Sequence, residues 1–109
     1  MTASRCPLNV GDILVSRGGY DETNYSWYQV IATTNASVRI REIAEENISE
    51  VLHSTSTMVV PIKDRFVGPE RLRRVRIDAG GPWVGGVDHN VAFRWDGKPV
   101  LKTRWGHGH

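Results

Sequence analysis

Apolar and polar residues alternate with a period of two along most of the chain, which predicts short strands rather than helices. The first strand is predicted over 12–16, where Ile13 and Val15 share a face. Val10-Gly11-Asp12 leads into it, Gly permitting the backbone turn and Asp satisfying nearby amides. Residues 27–33, Trp-Tyr-Gln-Val-Ile-Ala-Thr, are apolar on both faces and predict a central strand. A turn follows at Thr34-Asn35-Ala36, with Asn35 suited to a positive φ. Over 37–43, Val38 and Ile40 point one way and Arg39 and Arg41 the other, as in a half-buried strand paired with the previous one.

Residues 44–53 are the one helix candidate, with apolar residues at 44, 48, 51 and 52, although a loop followed by a strand suits them equally. Met58 to Ile62 predict a strand whose Pro61 favours an edge or a strand end. Residues 63–70, with Gly68-Pro69, are expected to form a loop. Alternation resumes over 71–78, with Val75 and Ile77 opposite Arg74 and Arg76. Leu72 falls out of that phase, so the strand is expected to start at Arg73 or to carry a bulge. The glycine-rich 79–86 reads as a flexible turn region. Asp96-Gly97 between 91–95 and 98–102 predicts a two-residue hairpin that pairs Trp95 with Lys98 and Phe93 with Val100 and leaves the strand carrying Pro99 on an edge.

Together these elements predict an all-β fold with at most one short helix. We expect a small antiparallel, partly open barrel, SH3-like, with a small sandwich as the alternative. Residues 1–9 read as an irregular lead-in, 10–105 as a single β domain and 106–109 as a flexible tail. A length of 109 residues suits one domain.

Charge changes this picture more than overall composition does. The net charge is only +2, yet residues 1–50 hold four Arg against seven acids, and residues 51–109 hold ten Lys/Arg against five acids. Such asymmetry suits attraction to phosphate or to an acidic partner. Arg71, Arg73, Arg74 and Arg76 crowd one strand, downstream of Lys63 and Arg65, and guanidinium groups are suited to bidentate phosphate contact. An ordinary solvated strand, its arginines paired with Glu42, Glu45, Glu46 and Glu50, is the plainer alternative.

The stretch from Gly18 to Val30 holds all three tyrosines and Trp27. Tyr20, Tyr25 and Trp27 are the candidate contact residues there, and Gly19, Asp21, Thr23 and Asn24 are expected to shape the loop, the last three through local side-chain to backbone bonds. Beside the arginines, these aromatics would form a charged surface with stacking platforms.

Catalysis finds no support in the sequence. Cys6, Ser16 and Ser26 have no sequence-visible base, and no phosphate-loop spacing occurs. No metal or other cofactor is expected, although His107 and His109 could capture a divalent ion adventitiously. The lone Cys6 excludes a disulfide framework, no apolar run reaches the roughly 20 residues of a membrane span, and residues 1–10 lack the apolar stretch of a signal peptide, so a cytoplasmic protein is expected.

Val10-Gly11-Asp12-Ile13, then Gly19-Tyr20-Asp21-x-Thr23-Asn24 and Tyr28-Gln29-Val30, resemble a pattern in small proteins of bacteriophages and mobile elements, mostly of unassigned function. Val59-Val60-Pro61-x-Lys63-Asp64 and Trp95-Asp96-Gly97-Lys98-Pro99 are similar to later parts of it. Gly18, Glu22 and Trp27 depart from the pattern, which has Trp, Gln and Phe there. The resemblance implies an accessory protein in the cytoplasm of an infected bacterium and offers no catalytic residues. Two functions are therefore expected: nucleic-acid binding through the basic strand and aromatic loop, or modulation of a bacterial host protein by a protein-interaction module. An edge-paired homodimer is a further expectation.

Overall fold

The computed structural model describes residues 7–18, 24–50, 56–87 and 90–103. All its elements are strands: β1 (Ile13–Gly18), β2 (Asn24–Thr33), β3 (Ser37–Glu50), β4 (Ser56–Asp78), β5 (Gly81–Val87), β6 (Asn90–Arg94) and β7 (Val100–Thr103). Every pairing is antiparallel. The strand order is β3-β2-β1-β6-β5-β4-β7, and β3 also pairs with β4, so six strands close a ring and β7 extends it beyond β4. The ring is uneven: β3 and β4 pair along nearly their whole lengths, whereas β1 meets β6 through only three residue pairs. The fold is thus the expected small all-β barrel.

Two apolar clusters hold it together. Leu14, Tyr28, Val30, Val38, Ile40, Val84 and Ala92 fill the ring's interior, joined by Leu8, which the lead-in contributes to the core. Strand periodicity turns their neighbours outward, and on that outer face Trp27, Ile43 and Val59 form a second buried cluster. Ile13, Val15, Tyr25, Phe66, Trp95 and Val100 pack around it. Cover for the outer face of β1 and β2 therefore comes from the first half of β4, from β7 and from the 95–98 turn.

Several expectations need correction. The helix candidate is strand over 44–50, because Glu45, Glu46 and Asn47 pair with Pro61, Val60 and Val59; residues 51–53 lie outside the described residues. Its apolar spacing carried no strong cap and buries little, Ile48 being half exposed. The expected loop at 63–70 also belongs to β4, which absorbs its extra residues in bulges against β3. Asp64 there is the one described non-glycine residue at positive φ (68°), and Asn35 is not; Thr34 instead closes its turn through bonds with Ser37. Arg41 supports the Gly68-Pro69 bulge, its Nε donating to the Gly68 carbonyl at 3.0 Å while its guanidinium lies over Phe66.

The glycine-rich stretch is a turn only at Ala79-Gly80; from Gly81 (φ 104°) it continues as β5. At Asp96-Gly97 the chain bends, with Gly97 at φ 89° and the Lys98 amide donating to Asp96 Oδ1 at 2.9 Å, but Asp96 does not take the positive φ that the expected two-residue hairpin turn also needs. Its flanking strands do not pair with each other, however. Both sides of β6 are taken by β1 and β5, and β7 runs instead beside the start of β4, at the end of the sheet. Leu72 needs no bulge, since it pairs in regular register with Arg39 and faces solvent.

Candidate nucleic-acid interface

The expected binding set separates into groups. Gly19, Tyr20, Asp21 and Thr23 lie outside the described residues; Asn24 opens β2 opposite Gly18. Trp27 is 1% exposed, donates Nε1–H to Glu45 Oε1 at 2.9 Å and meets Trp95 edge-on at 5.5 Å, so it is a core residue and offers no stacking face. Tyr25 is half-buried beside it, in a shallow groove of ≈ 330 Å³ that Glu42 and Glu45 also line. Carboxylates beside Tyr25 oppose phosphate.

The four arginines do not share a face. Arg71 and Arg73 stand opposite Ile40 and Val38, on the side of the sheet that faces the interior, and both are half-buried. Arg73 Nη1 donates to the Leu72 carbonyl at 2.8 Å. Arg74 and Arg76 alternate onto the outer face and are exposed. They also differ from their neighbours in engagement. Arg39 pairs with Glu70, and Arg94 reaches Asp12 at 4.0 Å, whereas no ion pair or hydrogen bond among the described residues engages the side chain of Arg74 or Arg76.

Beside Arg74 and Arg76 the structure places aromatics that the sequence reading left aside. Register sets Arg76 opposite Trp83, Trp83 opposite Phe93, and Phe93 opposite Val15. Directly opposed residues in antiparallel strands project from the same face, so these four form one row across the outside of the barrel. Phe93 is 42% exposed, and Trp83 is half-buried. The indole of Trp83 extends over Gly85, where a side chain's first carbon would lie 3.3 Å from its Cζ3. The row continues from Val15 to Trp27 and Ile43, where the second cluster covers it, and is open only from Phe93 to Arg76.

No local signal in the sequence marks Trp83 or Phe93. The first lies in a glycine-rich stretch and the second in a strand that pairs with β1 and β5 instead of with the strand that follows it; the β5–β6 pairing unites them.

Among the described residues no group of His, Cys, Asp and Glu could hold a metal ion, and no helix is long and apolar enough to cross a membrane. Comparison with family models, with curated proteins and with solved structures found no match to this chain.

Proposed function

We propose that the protein is a non-enzymatic nucleic-acid-binding domain that uses the outer face of β4, β5 and β6. Arg74 and Arg76 contact phosphates, and Phe93 and Trp83 lie against bases. The single observation that carries this reading is the open row Arg76–Trp83–Phe93, with two arginines at one end whose side chains no acid among the described residues engages. Guanidinium groups bind phosphate bidentately, and exposed aromatic faces receive bases. Fluorescence-anisotropy titration with labelled oligonucleotides at low and moderate salt tests it. Binding should weaken steeply with salt, and replacing both arginines by alanine should lower the slope by roughly 0.7 to 0.9 per lost phosphate contact. Absence of binding at low salt ends the reading.

A second reading, a module that binds and modulates a bacterial host protein, is favoured by β7. This strand sits at the end of the sheet with β4 on one side, a position suited to an added strand from a partner or from a second copy. A pull-down from nuclease-treated bacterial lysate separates the two readings: a specifically retained protein supports this one, and an empty bait counts against it. What supports a location in the cytoplasm of an infected bacterium, in both readings, is the phage-type resemblance of the sequence.

A further inference from the structure

Resting on the nucleic-acid reading, we infer that the face takes single-stranded nucleic acid with little regard to sequence, Trp83 and Phe93 forming a two-base stacking step. Trp83 and Phe93 are directly opposed on adjacent strands. That arrangement spaces their Cβ atoms about 4.5–5.5 Å apart, so two neighbouring rings can each receive a base from one splayed strand. A duplex keeps its base faces buried in its own stack and offers such rings only its edges and backbone.

The positions around the row point the same way. Beside the two rings stand Val15, Gly85 and Val91, together with Arg74, Arg76 and, next after Arg76 on the same face, Asp78. Of these only Asp78 belongs with the Asn, Gln, Asp and Glu side chains that read base edges alongside arginine, and its Oδ1 already accepts from the Gly80 amide at 2.8 Å. Stacking tolerates any base, because every base has a π face, and phosphate contact carries no sequence information. The empty space at Gly85 matters as well: it lets the indole extend along the sheet instead of being pushed upright.

The experiment uses the full chain and fluorescence anisotropy at low salt, with labelled oligo-dT, oligo-dA, a mixed single strand and a duplex of equal length. The three single strands should bind within a few-fold of one another, and the duplex about tenfold or more weaker. Phe93→Ala removes a ring that is 42% exposed and stands opposite Val15 and Trp83, so it should stay folded with a slightly lower thermal midpoint, and weaken single-strand binding about tenfold while leaving the salt slope unchanged. Trp83→Phe keeps a ring and should bind nearly as the parent does, but lose part of the tryptophan quenching on titration. A duplex that binds as tightly as the single strands overturns the inference, and so does a Phe93→Ala variant of unchanged affinity. If no oligonucleotide binds at all, the underlying reading fails instead.

Discussion

Gln29 and Asp64 exchange two hydrogen bonds across the outer face of β2: Gln29 Nε2 donates to Asp64 Oδ1 at 2.8 Å, and the Asp64 amide donates to Gln29 Oε1 at 2.7 Å. The amide of Gln29 thus matches a donor and an acceptor of one residue, much as a neighbouring strand would. Gln29 is only 5% exposed, so burying it depends on this partner. Asp64 is held at φ 68°, a conformation that Asp and Asn tolerate better than most residues.

Gln29→Ala should therefore cost about 1–3 kcal/mol in urea unfolding, since it leaves the bulge amide of Asp64 without its acceptor. Asp64→Asn keeps an acceptor oxygen and a residue suited to positive φ, and should remain within about 1 kcal/mol of the parent. Asp64→Ala loses both features and should lie well below Asp64→Asn. Equal melting of the two Asp64 variants would mean that the clamp contributes nothing.

Thr57 presents the opposite case. It is 5% exposed, and its Oγ1 is buried without a hydrogen-bond partner. Thr57→Val keeps the shape and removes the unsatisfied hydroxyl, so it should stabilise the fold by about 1 kcal/mol. A rise in thermal midpoint measures this; a fall would show that the hydroxyl has a role.

Glu70 restrains one arginine near the proposed face. Its ion pair with Arg39 is exposed on both sides, and pairs of that kind contribute little to stability, about 0–1 kcal/mol. Glu70→Gln should leave the melting curve nearly unchanged, yet release Arg39 beside Leu72 and Arg74. Single-strand binding should then tighten, and its salt slope steepen by about 0.7 if Arg39 gains one phosphate. An unchanged slope would place Arg39 outside the footprint.

Gly85 tests the geometry of the aromatic row without touching a charge. A methyl group there would sit 3.3 Å from Trp83 Cζ3, close enough that the indole must give way by a few tenths of an ångström. Since Ala also costs less conformational entropy than Gly within a strand, by roughly 0.5–1 kcal/mol, Gly85→Ala should fold as well as the parent. Its tryptophan emission should shift and its affinity for single strands drop. Full affinity with a shifted spectrum would show that the position of the indole is not critical.

How much of this was visible in the sequence depended on whether a signal was local. Val38 and Ile40 declare their inward face by alternation alone, and Gly11-Asp12 forms the expected turn, with Gly11 at φ 97° and the Asn9 amide donating to Asp12 Oδ2 at 2.8 Å. Asp96-Gly97 likewise signals a change of direction, found as a bend at Gly97. What it cannot signal is that β6 already has a neighbour on each side, because that depends on β1, far away in sequence. Residues 44–50 mislead for a related reason: a few apolar residues fit either period, and pairing with β4 decides the outcome.

The candidate site failed to show itself for the same physical reason. Counting arginines along 71–76 treats them as one group, whereas alternation sends Arg71 and Arg73 to one side and Arg74 and Arg76 to the other. That division follows from the strand period and was available in advance. The nearness of Trp83 and Phe93 was not, since it arises from cross-strand register. Trp27, an aromatic among aromatics, is buried in the second cluster.

The short seam between β1 and β6 also has a consequence for biosynthesis. Leu14, Val15 and Ser16 wait for Arg94, Phe93 and Ala92, which leave the ribosome long after them. A nascent chain can pair β1 with β2 and β2 with β3 early, but cannot close the ring until β6 has emerged. Contacts of such wide sequence separation fold slowly. Phe93 lies in that seam, so the proposed binding surface is completed only when the barrel is, and a half-made chain has no competent surface with which to sequester a ligand.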